Sequence, residues 1–126
     1  MIIFLTTASH KYTHKALTKN VLSCDVQVKD YGWALQQKIL PPATYVFTDR
    51  ERLDIWQVEI LGALYVHINK AGPGYRALNN PATMLNRGAL LRQLYAKGIN
   101  QFNAYRATER KWPEQYPVFV RRMSDH

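Results

Sequence analysis

The chain has a single cysteine, no glycine-rich phosphate loop and no apolar run long enough to cross a bilayer. Cys24 alone closes no intramolecular disulfide, and with no export signal it points to a reducing, cytoplasmic setting. As an unpaired thiol it reads as a core residue. The opening Met1-Ile2-Ile3-Phe4-Leu5 is only five residues long and has no basic stretch before it. It is too short for a signal-peptide core or a membrane span, so it predicts a buried first strand and no membrane partner. Neither GxGxxG nor GxxxxGK[ST] occurs, and Gly72-Pro73-Gly74 follows a helical pattern, which makes it a turn. No nucleophile elbow is present. The acidic residues, nine against seventeen Lys and Arg, are too scattered to nominate a catalytic carboxylate pair. His10 and His14 have the spacing of a metal-binding pair, but no third ligand is evident, and they read as surface histidines near a helix start.

What the chain does contain is an ordinary globular composition, 47% hydrophobic and 21% charged over 126 residues. That length is one domain, enough to bury roughly two-thirds of its extended surface. The formal charge of +8 is uneven: residues 86–126 carry eight Lys/Arg against three Asp/Glu, while residues 49–85 balance at four against four. A basic end segment suits nucleotide phosphates, nucleic acid or an acidic partner, and equally a solvated face. Tyr105-Arg106, Lys111-Trp112 and Phe119-Val120-Arg121 interleave aromatics with cations, as base-stacking surfaces do. Tyr105 and Phe119 fall in strand-like segments, however, where core packing is the default, which disfavours a nucleic-acid partner.

Hydrophobic patterning alternates strands with helices. Ile2–Thr6, Val26–Val28, Thr44–Thr48, Arg76–Leu78, Phe102–Tyr105 and Tyr116–Arg121 read as strands, the last opened by Pro117. Residues 11–22, 33–40, 51–71 and 82–97 read as helices. In 51–71, Leu53, Trp56, Ile60, Leu64 and Ile68 form an apolar stripe, and Gly72-Pro73 ends the helix. Alternation of this kind predicts an α/β fold: a Rossmann-like, largely parallel sheet with helices on both faces, ending in a linker and one further strand. In open parallel sheets ligands sit beyond the carboxyl ends of the strands. Three such ends are polar here: Thr6-Thr7-Ala8-Ser9-His10, Thr48-Asp49-Arg50 and Asn79-Asn80-Pro81.

Taken in order, Thr44–Arg50, Leu78-Asn79-Asn80-Pro81, the segment from Arg87 to Gly98-Ile99-Asn100, and Pro117-Val118-Phe119-Val120-Arg121 resemble the N-terminal portion of ATP-grasp proteins. The glutathione synthetase-like and RimK-like enzymes belong to that superfamily. The resemblance implies a Rossmann-like pre-ATP-grasp domain over residues 1–108, then a linker and the first strand of an ATP-grasp lobe over 109–126. It places Arg87 and Arg121 at a nucleotide, both where Lys is usual. It makes Asp49, Arg50, Asn79 and Asn80 contributors to an acceptor-substrate or interdomain pocket.

On that resemblance the chain is the substrate-side module of a carboxylate–amine ligase-like protein and is not catalytically complete by itself. ATP and Mg²⁺ would belong to a full-length form, with none expected on the isolated chain. The partner would be the missing C-terminal lobes, or a protein that pairs the last strand, a second copy of the chain included. The competing expectation is a stand-alone basic module that binds nucleic acid or an acidic protein.

Overall fold

The computed structural model describes residues 1–18, 25–114 and 116–120, with residues 15–18 described by backbone alone. Cys24 and Arg121, expected in the core and at a nucleotide, lie outside them. The chain divides into two compact units, Met1–Met84 and Leu85–His126.

The first unit holds four parallel strands, β1 (Ile2–Thr6), β2 (Val26–Asp30), β3 (Thr44–Phe47) and β4 (Arg76–Leu78), in the order β2-β1-β3-β4. The register pairs Ile3 with Tyr45 and Leu5 with Phe47, and Tyr45 in turn with Ala77. Those five side chains therefore share one face of the sheet, and all are buried. Helices α1 (Tyr31–Gln36) and α2 (Ile55–Lys70) cover that face with Tyr31, Ala34, Val58, Leu61 and Ile68. On the opposite face Phe4 meets His14, ring centroids 5.8 Å apart, from a 3-10 helix over Ala8–Thr18. The molecule is thus an α/β protein whose all-parallel sheet carries helical layers in a Rossmann-like arrangement.

Helix starts are set by caps. Asp30 accepts from the Trp33 N–H at 2.7 Å and starts α1 earlier than the expected 33–40. The Asp54 N–H donates to the Gln57 side chain at 2.9 Å, so α2 begins at Ile55 and not at 51; Arg50–Arg52 form a separate 3-10 turn.

The inward stripe of α2 also differs from expectation. Val58, Leu61, Gly62 and Ile68 are buried, whereas Trp56 is 58% and Ile60 44% exposed. Leu53 lies ahead of the helix in extended conformation, so its burial does not fix the helical phase. Gly62 does fix it. A Cβ at that position would stand 2.9 Å from the Ala82 Cβ, so α2 approaches the loop after β4 only because residue 62 has no side chain.

In the second unit α3 spans Arg87–Ala96, shorter than the expected 82–97. Asn80, in the first unit, accounts for the difference: its side chain accepts from Ala82 and its carbonyl from Thr83 and Met84, which holds 80–84 as a turn. Asn86 then caps α3 through the Ala89 N–H at 2.9 Å. The segments 102–105 and 116–120, expected as strands, have no ladder partner among the described residues. Strand propensity alone does not satisfy backbone N–H and C=O groups.

Among the described residues no helix is long and apolar enough to cross a membrane.

Candidate functional site

Strands β1 and β3 are neighbours whose following segments leave for opposite faces of the sheet. β1 leads into the 3-10 helix over Ala8–Thr18, and β3 leads through Arg50–Arg52 into α2. That divergence is the topological switch point of a parallel sheet, the place where ligands bind in folds of this kind. Two of the three polar strand ends picked out in the sequence meet there, and the third lies beside them at the end of β4.

Asp49 stands at the centre. Its backbone is left-handed (φ 56°), a conformation that Asp and Asn tolerate better than most residues. One carboxylate oxygen, Oδ2, accepts from the Thr6 hydroxyl, from the Thr7 N–H at 3.1 Å and from the Thr7 hydroxyl at 3.0 Å. The other, Oδ1, lies 3.1 Å from His10 Nδ1. Burial by itself would raise the Asp49 pKa. Hydrogen bonds from Thr6, His10 and Thr7 outweigh it and hold the group at about 2.

A carboxylate so far below neutrality accepts hydrogen bonds and donates none. His10 is consequently protonated at Nδ1, and the Thr6 and Thr7 hydroxyl protons are both committed to Asp49. In the 3.5 Å contact between Thr7 and Ser9, Ser9 must be the donor.

The same reasoning orients His14. The Thr48 hydroxyl donates to the Leu5 carbonyl at 2.8 Å, so in its 3.2 Å contact with His14 Nε2 it can only accept. His14 therefore carries a proton on Nε2. Behind this corner the Tyr31 hydroxyl donates to the Thr48 carbonyl, and burial pushes the Tyr31 phenol well above its ordinary pKa. It stays a donor.

The remaining strand ends are tied down as well. Lys11 Nζ lies 2.6 Å from the Asp30 carboxylate at the end of β2, and this hydrogen bond is the main reason the Asp30 pKa is lowered. Arg50 Nε donates to the Pro81 carbonyl at 2.9 Å, joining the loops after β3 and β4. Asn79, also left-handed (φ 62°), donates from its side chain to the Phe47 carbonyl at 3.3 Å. Asp49, Arg50, Asn79 and Asn80, expected together at a pocket, thus lie on two neighbouring loops at one end of the sheet. Arg87 opens α3 in the second unit.

His10 and His14 are engaged with Asp49 and Thr48 rather than with each other, and among the described residues no three His, Cys, Asp or Glu side chains gather to hold a metal. An apolar groove of about 230 Å³ lies elsewhere, between α1 and α2, lined by Leu35, Leu53, Trp56 and Ile60. It offers little polar chemistry, and the carboxyl edge is the better candidate.

The coupling of Thr6, Thr7 and His10 to Asp49 was not foreseen in the sequence. Its only signal is a hydroxyl-rich end to one strand and an acid just past the end of another. Fold and site together define a Rossmann-like α/β protein with a polar, hydrogen-bonded cluster at the switch point of its sheet. Comparison with protein-family models, with curated proteins and with solved structures finds no match.

Proposed function

We propose that the chain is the substrate-side module of an ATP-grasp-type, carboxylate–amine ligase-like protein, holding a small polar substrate in the crevice between the ends of β1 and β3. The observation that carries this reading is the preorganised corner at Asp49. A carboxylate held at about 2, with Thr6, Thr7 and His10 all donating to it, locks the polar loops in one geometry without a ligand. Rigid placement of loop groups at a switch point is what a binding crevice requires.

The described residues do not fit the Mg²⁺ that such a reaction uses. Both Asp49 oxygens are engaged, and no cluster of metal-ligating side chains occurs among them. In this reading the nucleotide and its metal belong to a full-length form, with Arg121 as a phosphate contact, and no chemical step is assigned to the 126 residues alone.

Calorimetry with Mg-ATP tests the reading. The isolated chain is expected to show no micromolar binding, and such binding would overturn it. In the polypeptide isolated from its native cell, a mass well above that of 126 residues is expected, with nucleotide affinity that falls when Arg121 becomes Ala.

A further inference from the structure

We propose that Arg50 is the anion-recognition point of the carboxyl-edge crevice, taking a carboxylate or phosphate group through its terminal guanidinium nitrogens. The proposal rests on the reading of that crevice as a substrate site and supplies the chemical class the substrate must carry.

Three other charged groups at this edge, Asp49, Lys11 and Asp30, are already engaged. Asp49 is surrounded by four donated hydrogen bonds, and Lys11 and Asp30 neutralise each other at 2.6 Å. Arg50 differs. Its Nε donates to a neutral carbonyl, that of Pro81, which fixes the plane of the guanidinium and leaves its charge uncancelled. Among the described residues no carboxylate lies within ion-pair distance of it.

A half-buried cation without a counter-ion is unfavourable, and an anionic ligand would supply the missing partner. The unengaged side of the guanidinium is a planar fork whose spacing matches the two oxygens of a carboxylate or phosphate. Its support is rigid on both sides. Asp49 before it accepts from Thr6, Thr7 and His10, and Asn79 on the neighbouring loop donates to the Phe47 carbonyl. Asp49 is not paired with the fork: its carboxylate is turned to Thr6, Thr7 and His10, and no ion pair joins it to Arg50.

The test is a titration of the 126-residue chain with succinate and, separately, with inorganic phosphate, followed by calorimetry and by the Arg50 Nε–H resonance. One of the two anions should saturate and shift that resonance, and the one that does so identifies the source of the oxygens. Arg50→Gln, which keeps an N–H for the Pro81 carbonyl, should bind about 10-fold more weakly or worse. Arg76→Ala, on β4 away from this edge, should bind as the native chain does. If Arg50→Gln does not fold, Arg50→Lys decides: it keeps the charge but loses the fork, and unchanged affinity would overturn the proposal. Failure of both anions to saturate would also overturn it, as would native affinity in Arg50→Gln. Micromolar Mg-ATP binding would instead remove the module reading and leave the Arg50 site standing.

Discussion

Among the described residues, every buried hydrophobic side chain, from Ile3 to Ala77, is in the first unit, and none of those in the second unit is buried. The two do not differ in supply of apolar residues. Leu90, Ile99, Phe102, Trp112, Val118 and Phe119 are all in the second unit, and all are exposed. What differs is the presence of a sheet. Four in-register strands place Ile3, Leu5, Tyr45, Phe47 and Ala77 on one surface, and two helices close over it. A ten-residue helix followed by irregular chain offers no comparable surface to bury against. Apolar content supplies the driving force for a core, but the hydrogen-bonded framework decides whether it can be used.

Substitutions can break this contrast, and the largest effect is expected at its centre. Leu5 is fully buried, so Leu5→Ala should cost about 3 kcal/mol in urea denaturation, while Phe119→Ala, at 93% exposure, should stay within about 0.5 kcal/mol. Comparable losses at the two positions would mean that the second unit has a core of its own.

Gly62→Val comes next. A side chain at 2.9 Å from the Ala82 Cβ forces α2 away from the loop that carries Pro81, for an expected loss of about 2 kcal/mol. Arg50 should lose its hydrogen bond to Pro81 at the same time, visible as a shift of its Nε–H resonance. An unshifted resonance would show that the loop and helix move independently.

Asp49→Asn is expected to cost about 2 kcal/mol at neutral pH, since the folded-state pKa of about 2 lies below the ordinary 3.8. The sign follows from linkage. The unfolded chain takes up the proton first, so the stabilisation is fully present above about 4 and disappears as pH falls toward 2. The gap between Asp49→Asn and the native chain should close over that window. A gap that persists at the acid end would assign Asp49 a role in backbone geometry rather than charge.

Hydrogen exchange should give the finest reading. Amides of β1 and β3 are expected to exchange through global unfolding and those of α3 through local opening, hence faster. Equal protection would put both units in one cooperative structure.

The alternation of short apolar runs with helical patterns made the parallel sheet legible, because strand and helix periods differ and each strand end is marked by polar residues. The run Ile2–Thr6, the strand around Tyr45 and the turn at Gly72-Pro73 were readable for that reason. The phase of α2 was not. It is apolar on nearly every side, so spacing alone could not choose between the Trp56–Ile60 stripe and the Val58–Leu61 stripe, and Gly62 carries no hydrophobic signal at all. The segments 102–105 and 116–120 have no ladder partner among the described residues, because β-branched and aromatic composition reports a willingness to pair, not the existence of a partner.

Sequence by itself determined which residues stand at the strand ends: Thr6, Thr7, Asp49, Arg50, Asn79 and Asn80 follow directly from where each apolar run stops. Only the tertiary structure decided how they combine. Placing β1 beside β3 brings residues 39 to 43 positions apart into contact, so Asp49 receives the hydroxyls of Thr6 and Thr7 and the ring of His10. Placing β3 beside β4 sets Arg50 against the Pro81 carbonyl. The physical reason is that strand order and register are fixed by long-range pairing and core packing, which local residue preferences do not encode.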